Sequence, residues 1–173
     1  MSHYVRRISL AALPALVLVA CNREPAALTT LTRADGAPAG SATLEETPDG
    51  LSVSIAAIGL PPGVHGVHLH AIGKCDGPKF ESAGPHWNPT SRKHGRDNPE
   101  GWHLGDLTSI EIGADGSGHS SFSIGAARLT DGPNALLDAD GASLVIHANA
   151  DDYKTDPSGN SGDRIACGVI QRD

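Results

Sequence analysis

Histidines recur through the middle of this 173-residue chain at spacings that suit metal binding. The run Gly63-Val64-His65-Gly66-Val67-His68-Leu69-His70 comes first, followed by His86, His94, His103, Asp106 and, much later, His147. On a strand, residues two apart point to one face, so His68 and His70 can converge on a single ion. Imidazole suits copper, zinc, iron and nickel, and the pair alone leaves the metal open. Taken together, His68, His70, His86, His94, His103, Asp106 and His147 have the chemistry and spacing of two adjacent metal sites. Singly, each histidine would more often be structural or exposed; the joint pattern reverses that weighting. His65 has the opposite strand parity and is set aside, as are His3 and His119.

The elements that must position these residues are strands. Asp-Gly pairs stand at 35–36, 49–50, 76–77, 115–116, 131–132 and 140–141, and Asp-Gly between alternating apolar runs marks tight turns. Leu51 to Ile55, Leu107 to Ile112 and Ser120 to Ile124 read as strands with one buried face. Helical periodicity is absent. The expected class is all-β, a Greek-key sandwich or flattened eight-stranded barrel with two long functional loops. One loop runs from about Ile72 to Gly105 and carries Cys75, His86, His94 and His103; the other runs from Asp151 to Asp163. With 21 glycines, 12 prolines and 3% aromatic residues, the core has to be built from Val, Ile, Leu and Ala.

The front of the chain has a different character. Arg6 and Arg7 precede a 13-residue apolar run from Ile8 to Ala20, too short to span a bilayer and suited to a cleaved export signal. Leu18-Val19-Ala20-Cys21 resembles the lipobox of bacterial lipoproteins, in which the cysteine is lipidated and becomes the N-terminus. Asn22 follows it, which by the rule for such lipoproteins favours the outer membrane, facing the periplasm. The Arg6-Arg7 pair also admits a twin-arginine export signal. The expected organisation is a signal peptide over 1–20, a lipid-anchored tether over 21–27 and one domain over 28–173. Removing Arg6 and Arg7 with the leader leaves 11 basic against 20 acidic residues, a net charge of −9. Without a basic run or an aromatic-interleaved patch, nucleic acid is excluded as a partner.

Longer motifs extend the pattern. Ser82-Ala83-Gly84-Pro85-His86-Trp87-Asn88-Pro89, Ser91-Arg92-Lys93-His94-Gly95 and His103-Leu104-Gly105-Asp106 resemble the copper-zinc superoxide dismutases. So do Leu144-Val145-Ile146-His147 and the tail from Gly159 through Asp163-Arg164-Ile165-Ala166-Cys167 to Ile170. The likeness spans about Leu51 to Ile170. It implies one copper per subunit on His68, His70, His86 and His147, and one zinc on His86, His94, His103 and Asp106, with His86 shared. Three imidazoles and a carboxylate leave tetrahedral zinc no open position, so that site is expected to be structural.

The resemblance also makes Asp151 the carboxylate joining His68 to His94, Cys75 and Cys167 a disulfide, and Arg164 the residue that docks superoxide. It implies dismutation of superoxide to dioxygen and hydrogen peroxide, with His86 exchanging a proton. It allows a homodimer as well. The alternative is a non-catalytic copper- or zinc-binding protein on the same fold, against which the retention of all these positions argues. This sequence departs from the usual form in two places. Asp76 to Phe80 is an apparent insertion, and the segment from Asp151 to Gly162 is short, with Lys154 its only basic residue.

Overall fold

The structure is a computed structural model that describes residues 27–173. The expected signal peptide and the lipidation site Cys21 lie outside the described residues. Ten strands follow in order: β1 Ala27–Arg33, β2 Pro38–Thr47, β3 Gly50–Ala57, β4 Gly63–His65, β5 Val67–His70, β6 Ile110–Ile112, β7 Gly118–Gly125, β8 Ser143–His147, β9 Arg164–Val169 and β10 Gln171–Arg172. Ala27, the last residue of the expected tether, is the first of β1.

The main sheet runs β5-β8-β9-β1-β2-β3-β7, with β10 on β1, and β4 pairs β6 in a two-stranded ribbon. Strands β6 and β7 lie side by side, joined by the turn in which Gly113 N–H donates to the Ser117 carbonyl at 2.8 Å. Strand β4 runs into β5 through Gly66, so the circuit closes into the expected flattened barrel. The expected eight strands become ten through two interruptions, at Gly66 and at Ile170. At Gly66 the backbone turns aside to donate to the Asn149 carbonyl at 2.8 Å. A Cβ there would approach Ser161 Cβ at 2.9 Å, which a side chain could enter only by displacement.

Alternation explains the core. Leu51, Val53, Ile55 and Ala57 of β3 all face inward and are buried, which removes apolar area from water at roughly 25 cal/mol per Å². Leu107 to Ser109, expected as strand, are not: only Ile110–Ile112 forms β6. Leu107 N–H instead reaches the Val67 carbonyl. Ser109 N–H is taken by the Tyr153 hydroxyl and Thr108 by Arg96, so side-chain partners draw this stretch off the ladder.

Strands β5 and β8 are buried on both faces. Val67, Leu69, Leu144 and Ile146 face the barrel core. On the opposite face Val145 packs with Phe80, Ala83 and Cys167. That outward face carries His68, His70 and His147, and the loops at 71–109 and 148–163 cover it.

Candidate metal centre

The β5–β8 register pairs His68 with Val145 and His70 with Ser143. Paired residues share a face, so His147 stands diagonally from His68 within side-chain reach. Where β8 meets β9 the register shifts after Ile146, and His147 falls opposite Arg164 instead of Ile165. A bulge of this kind re-aims a side chain. Here it turns Arg164 from the core side to the face of His147.

His68, His70, His86 and His147 present ring nitrogens all within 4.8 Å of one another. Each of the three on strands has its second nitrogen occupied. His68 Nε2 lies 2.7 Å from Asp151 Oδ2, His70 Nδ1 donates to the Gly84 carbonyl at 2.9 Å, and His147 Nδ1 donates to the Gly162 carbonyl at 3.2 Å. Those partners select the tautomer that leaves a lone pair on the other nitrogen. His68 Nδ1, His70 Nε2 and His147 Nε2 are buried and have no hydrogen-bond partner. Buried nitrogens without partners cost roughly 1–3 kcal/mol each; an all-nitrogen set of this kind suits Cu(II).

The second group gathers on Asp106. Its Oδ1 lies 2.9 Å from His86 Nδ1, 3.0 Å from His94 Nδ1 and 3.0 Å from His103 Nδ1. The His94 contact is out of hydrogen-bond alignment, and this nitrogen too is buried without a partner. Oδ2 accepts the Gly95 and His103 backbone N–H groups at 2.9 and 3.0 Å, which orients the carboxylate. The group whose ligand atoms all lie within 4.8 Å of one another is His68, His86, His94 and Asp106. His103 falls outside it, although its Nδ1 is 3.0 Å from Asp106 Oδ1 and 3.4 Å from His86 Nδ1, while His68 Nε2 is committed to Asp151. Three imidazoles and one carboxylate are a tetrahedral zinc set. The His86 ring belongs to both groups and stacks on His68, ring centres 3.9 Å apart. Asp151 spans them as well, its Oδ1 3.0 Å from His94 Nε2.

Burial governs the titration of this cluster, and carboxylates oppose it locally. Desolvation depresses His70 well below its ordinary value, His86 to about 4 and His147 to about 3, where the neighbouring His68 adds to the effect on His147. His68 is lowered by burial despite Asp151. For His94 burial also opposes the cation, but the adjacent Asp106 carboxylate and the one on Asp151, which accepts from Nε2, prevail and raise it to about 9. Burial would raise Asp106 and Asp151, yet the histidines around them hold both well below the usual carboxylate range.

A cleft of about 1120 Å³ opens over the cluster, lined among others by His86, His103, His147, Arg92, Lys93 and Arg164. Arg164 is half-buried, and its Nη1 and Nη2 donate to the Phe80 and Gly84 carbonyls, each at 2.7 Å. Cys75 and Cys167 are disulfide-bonded across 92 residues, tying the long loop to β9. His65 stays apart, its nitrogens 2.8 and 2.9 Å from the His147 and Pro61 carbonyls, and His119 is exposed on β7. The acceptors of Arg164 and the role of Tyr153 were not read from the sequence. Main-chain carbonyls give no residue signal, and a lone tyrosine in a polar loop is an ordinary surface residue.

Barrel and cluster together define a β-protein built to hold two neighbouring metal ions beside a cleft lined by Arg92, Lys93 and Arg164. Residues 38–170 match the copper/zinc superoxide dismutase family. The chain is 44% identical over 140 residues to a Cu-Zn superoxide dismutase of Caulobacter vibrioides, covering 79% of this chain and 80% of that one. It is 43% identical over 138 residues to Cu-Zn superoxide dismutase 1 of Aquifex aeolicus, covering 79% and 82%. A crystal structure of a superoxide dismutase-like protein from Bacillus subtilis superposes with a TM-score of 0.79 at 40% identity, covering 82% of this chain and 96% of that one. The chain belongs to the copper/zinc superoxide dismutase family. It is a superoxide dismutase that uses copper and zinc to convert superoxide into dioxygen and hydrogen peroxide.

Proposed function

We propose that His68, His70, His86 and His147 hold the copper, that His86, His94, His103 and Asp106 hold the zinc, and that Arg164 docks the superoxide anion. Copper, when bound, supplies the one-electron redox chemistry and zinc a fixed positive charge beside it. The chain's own residues do the rest. Arg164 offers a permanently charged guanidinium at the cleft, fastened by two carbonyls so that its remaining donors can meet an anion. His86 lines the same cleft and holds or yields one of the two protons that hydrogen peroxide formation consumes, at the ring nitrogen turned away from Asp106, the other coming from solvent. Asp151 fixes the rings of His68 and His94.

The observation that carries this reading is the trio of buried, unpartnered nitrogens on His68, His70 and His147. It is tested with His86→Ala and His103→Ala. The first should disturb both metals, the second mainly zinc, measured as metal content together with the Cu(II) visible spectrum. A His86→Ala protein with an unchanged copper spectrum and full zinc would remove the shared ligand from the proposal.

We propose further that the protein is exported and anchored through lipidated Cys21 to the outer membrane, facing the periplasm. The apolar run ending in Leu18-Val19-Ala20-Cys21 supports this. The disulfide supports an oxidising compartment.

A further inference from the structure

Asp151 touches both metal-ligand groups and is buried, although it sits in a short polar loop outside the sheet. Two residues on, Tyr153 adopts a left-handed backbone conformation, φ 58°, which bulky side chains keep only where surrounding contacts over-determine it. Four contacts hold Tyr153. Its N–H donates to Asp151 Oδ1 at 2.7 Å, and its carbonyl accepts the Asp97 N–H at 2.9 Å. Its hydroxyl accepts the Ser109 N–H at 2.9 Å, and the Arg96 guanidinium lies over its ring, 3.9 Å from the centre. Ser109 closes the circle, because its hydroxyl accepts the Asp151 N–H at 3.2 Å. The neighbouring strap requires Gly95: a Cβ there would stand 2.1 Å from the Tyr153 carbonyl oxygen. Gly95 N–H in turn orients Asp106 at 2.9 Å.

We infer that Tyr153, capped by Arg96, is a positioning residue for the Asp151 carboxylate, and that it thereby keeps His94 in the zinc set. Its main chain and side chain act on opposite flanks of Asp151: the backbone N–H meets the carboxylate directly, and the phenol hydroxyl fastens Ser109, whose own hydroxyl receives the Asp151 N–H. The inference rests on the reading of His94 as a zinc ligand steadied by Asp151.

The test uses the metal-loaded mature protein, with zinc release to a chromophoric chelator as the rate. A second readout is the visible spectrum after Co²⁺ replaces zinc, which reports the ligand geometry. Tyr153→Phe keeps the ring and loses the hydroxyl; Arg96→Gln, on the exposed side of the ring, leaves the tyrosine in place. Tyr153→Phe should release zinc about five- to tenfold faster, the equivalent of one net hydrogen bond, and shift the cobalt band. Arg96→Gln should accelerate release by about two- to fivefold. Val53→Ala, in the core of β3, should lower thermal stability without changing either readout. Zinc release at the wild-type rate from both Tyr153→Phe and Arg96→Gln, with fast release from Asp151→Ala, would overturn the role of Tyr153 alone. Wild-type release from Asp151→Ala would overturn the reading beneath it as well. Acceleration no greater than in Val53→Ala would reduce Tyr153 to general stability and also defeat the inference.

Discussion

The disulfide offers the sharpest quantitative test. Replacing Cys75 and Cys167 together by alanine removes a cross-link that closes a loop across 92 residues. On the chain-entropy account a loop of this size should contribute about 4–5 kcal/mol, acting by restricting the unfolded chain. For a domain of this length each kcal/mol moves the melting temperature by roughly 2–4 °C, so the double variant should melt about 10–20 °C lower. The measurement belongs on metal-free protein, because bound metal would mask the change by mass action. Chemical denaturation with kinetics separates the sources. An entropic effect slows folding and leaves unfolding nearly unchanged. The same loop supplies the Phe80 and Gly84 carbonyls that fasten Arg164, and Phe80 packs beside Cys167. Activity per bound copper should therefore fall by about tenfold, the scale of weakening one charge-assisted hydrogen bond. A stability loss below about 1 kcal/mol, or one confined to faster unfolding, would refute the reasoning.

Arg164→Glu should keep both metals and lose most activity, and raising ionic strength should slow the wild type but not this variant. Charge focusing changes association rates by roughly 10- to 1,000-fold, a range drawn partly from superoxide dismutases, and pulse-radiolysis rates at matched copper content check it. The metal-free protein should be most stable near pH 6.5. Below that, unfolded histidines take up protons that folded His86 and His147, at about 4 and about 3, refuse, so stability falls with acid. Above it, folded His94 at about 9 holds a proton the unfolded chain has released, and stability falls again as pH rises; melting across pH with and without zinc tests both limbs, since zinc binding should remove the alkaline one. Cys21→Ser should release a soluble, active enzyme, and finding the unmodified protein already soluble on cell fractionation would end the anchor proposal.

Much of this molecule was legible where a residue's type and parity carry the information. The strands around Leu51 to Ile55 and Ser120 to Ile124 announce themselves by alternation. The parity of His68 and His70 places them together because β5 is regular over that stretch. What escaped the sequence depends on departures from regularity. Thr108 and Ser109 have strand-like spacing but are captured by Arg96 and Tyr153. Arg164 shares a face with His147 only because the register slips after Ile146; simple alternation along β9 puts it inside the barrel. The break between β4 and β5 arises from Asn149 and Ser161, residues 83 and 95 positions away from Gly66. No local pattern could signal such a neighbour.

The way Arg164 is fastened has a consequence for how this chain can diverge. Both of its acceptors are main-chain carbonyls, and every residue type has one. Substitution at the exposed residues Asp76 to Lys79 of the insertion changes side chains without deleting either hydrogen-bond partner, provided the backbone path survives and Phe80 keeps its buried place. Surface loops drift readily in length and composition, and here the drift is buffered from the chemistry. The segment is free to acquire new surface properties while the guanidinium stays where it is. Its vulnerable points are those that set the path: the left-handed turn at Phe80, and Gly84, where a Cβ would stand 2.8 Å from the Ile72 side chain.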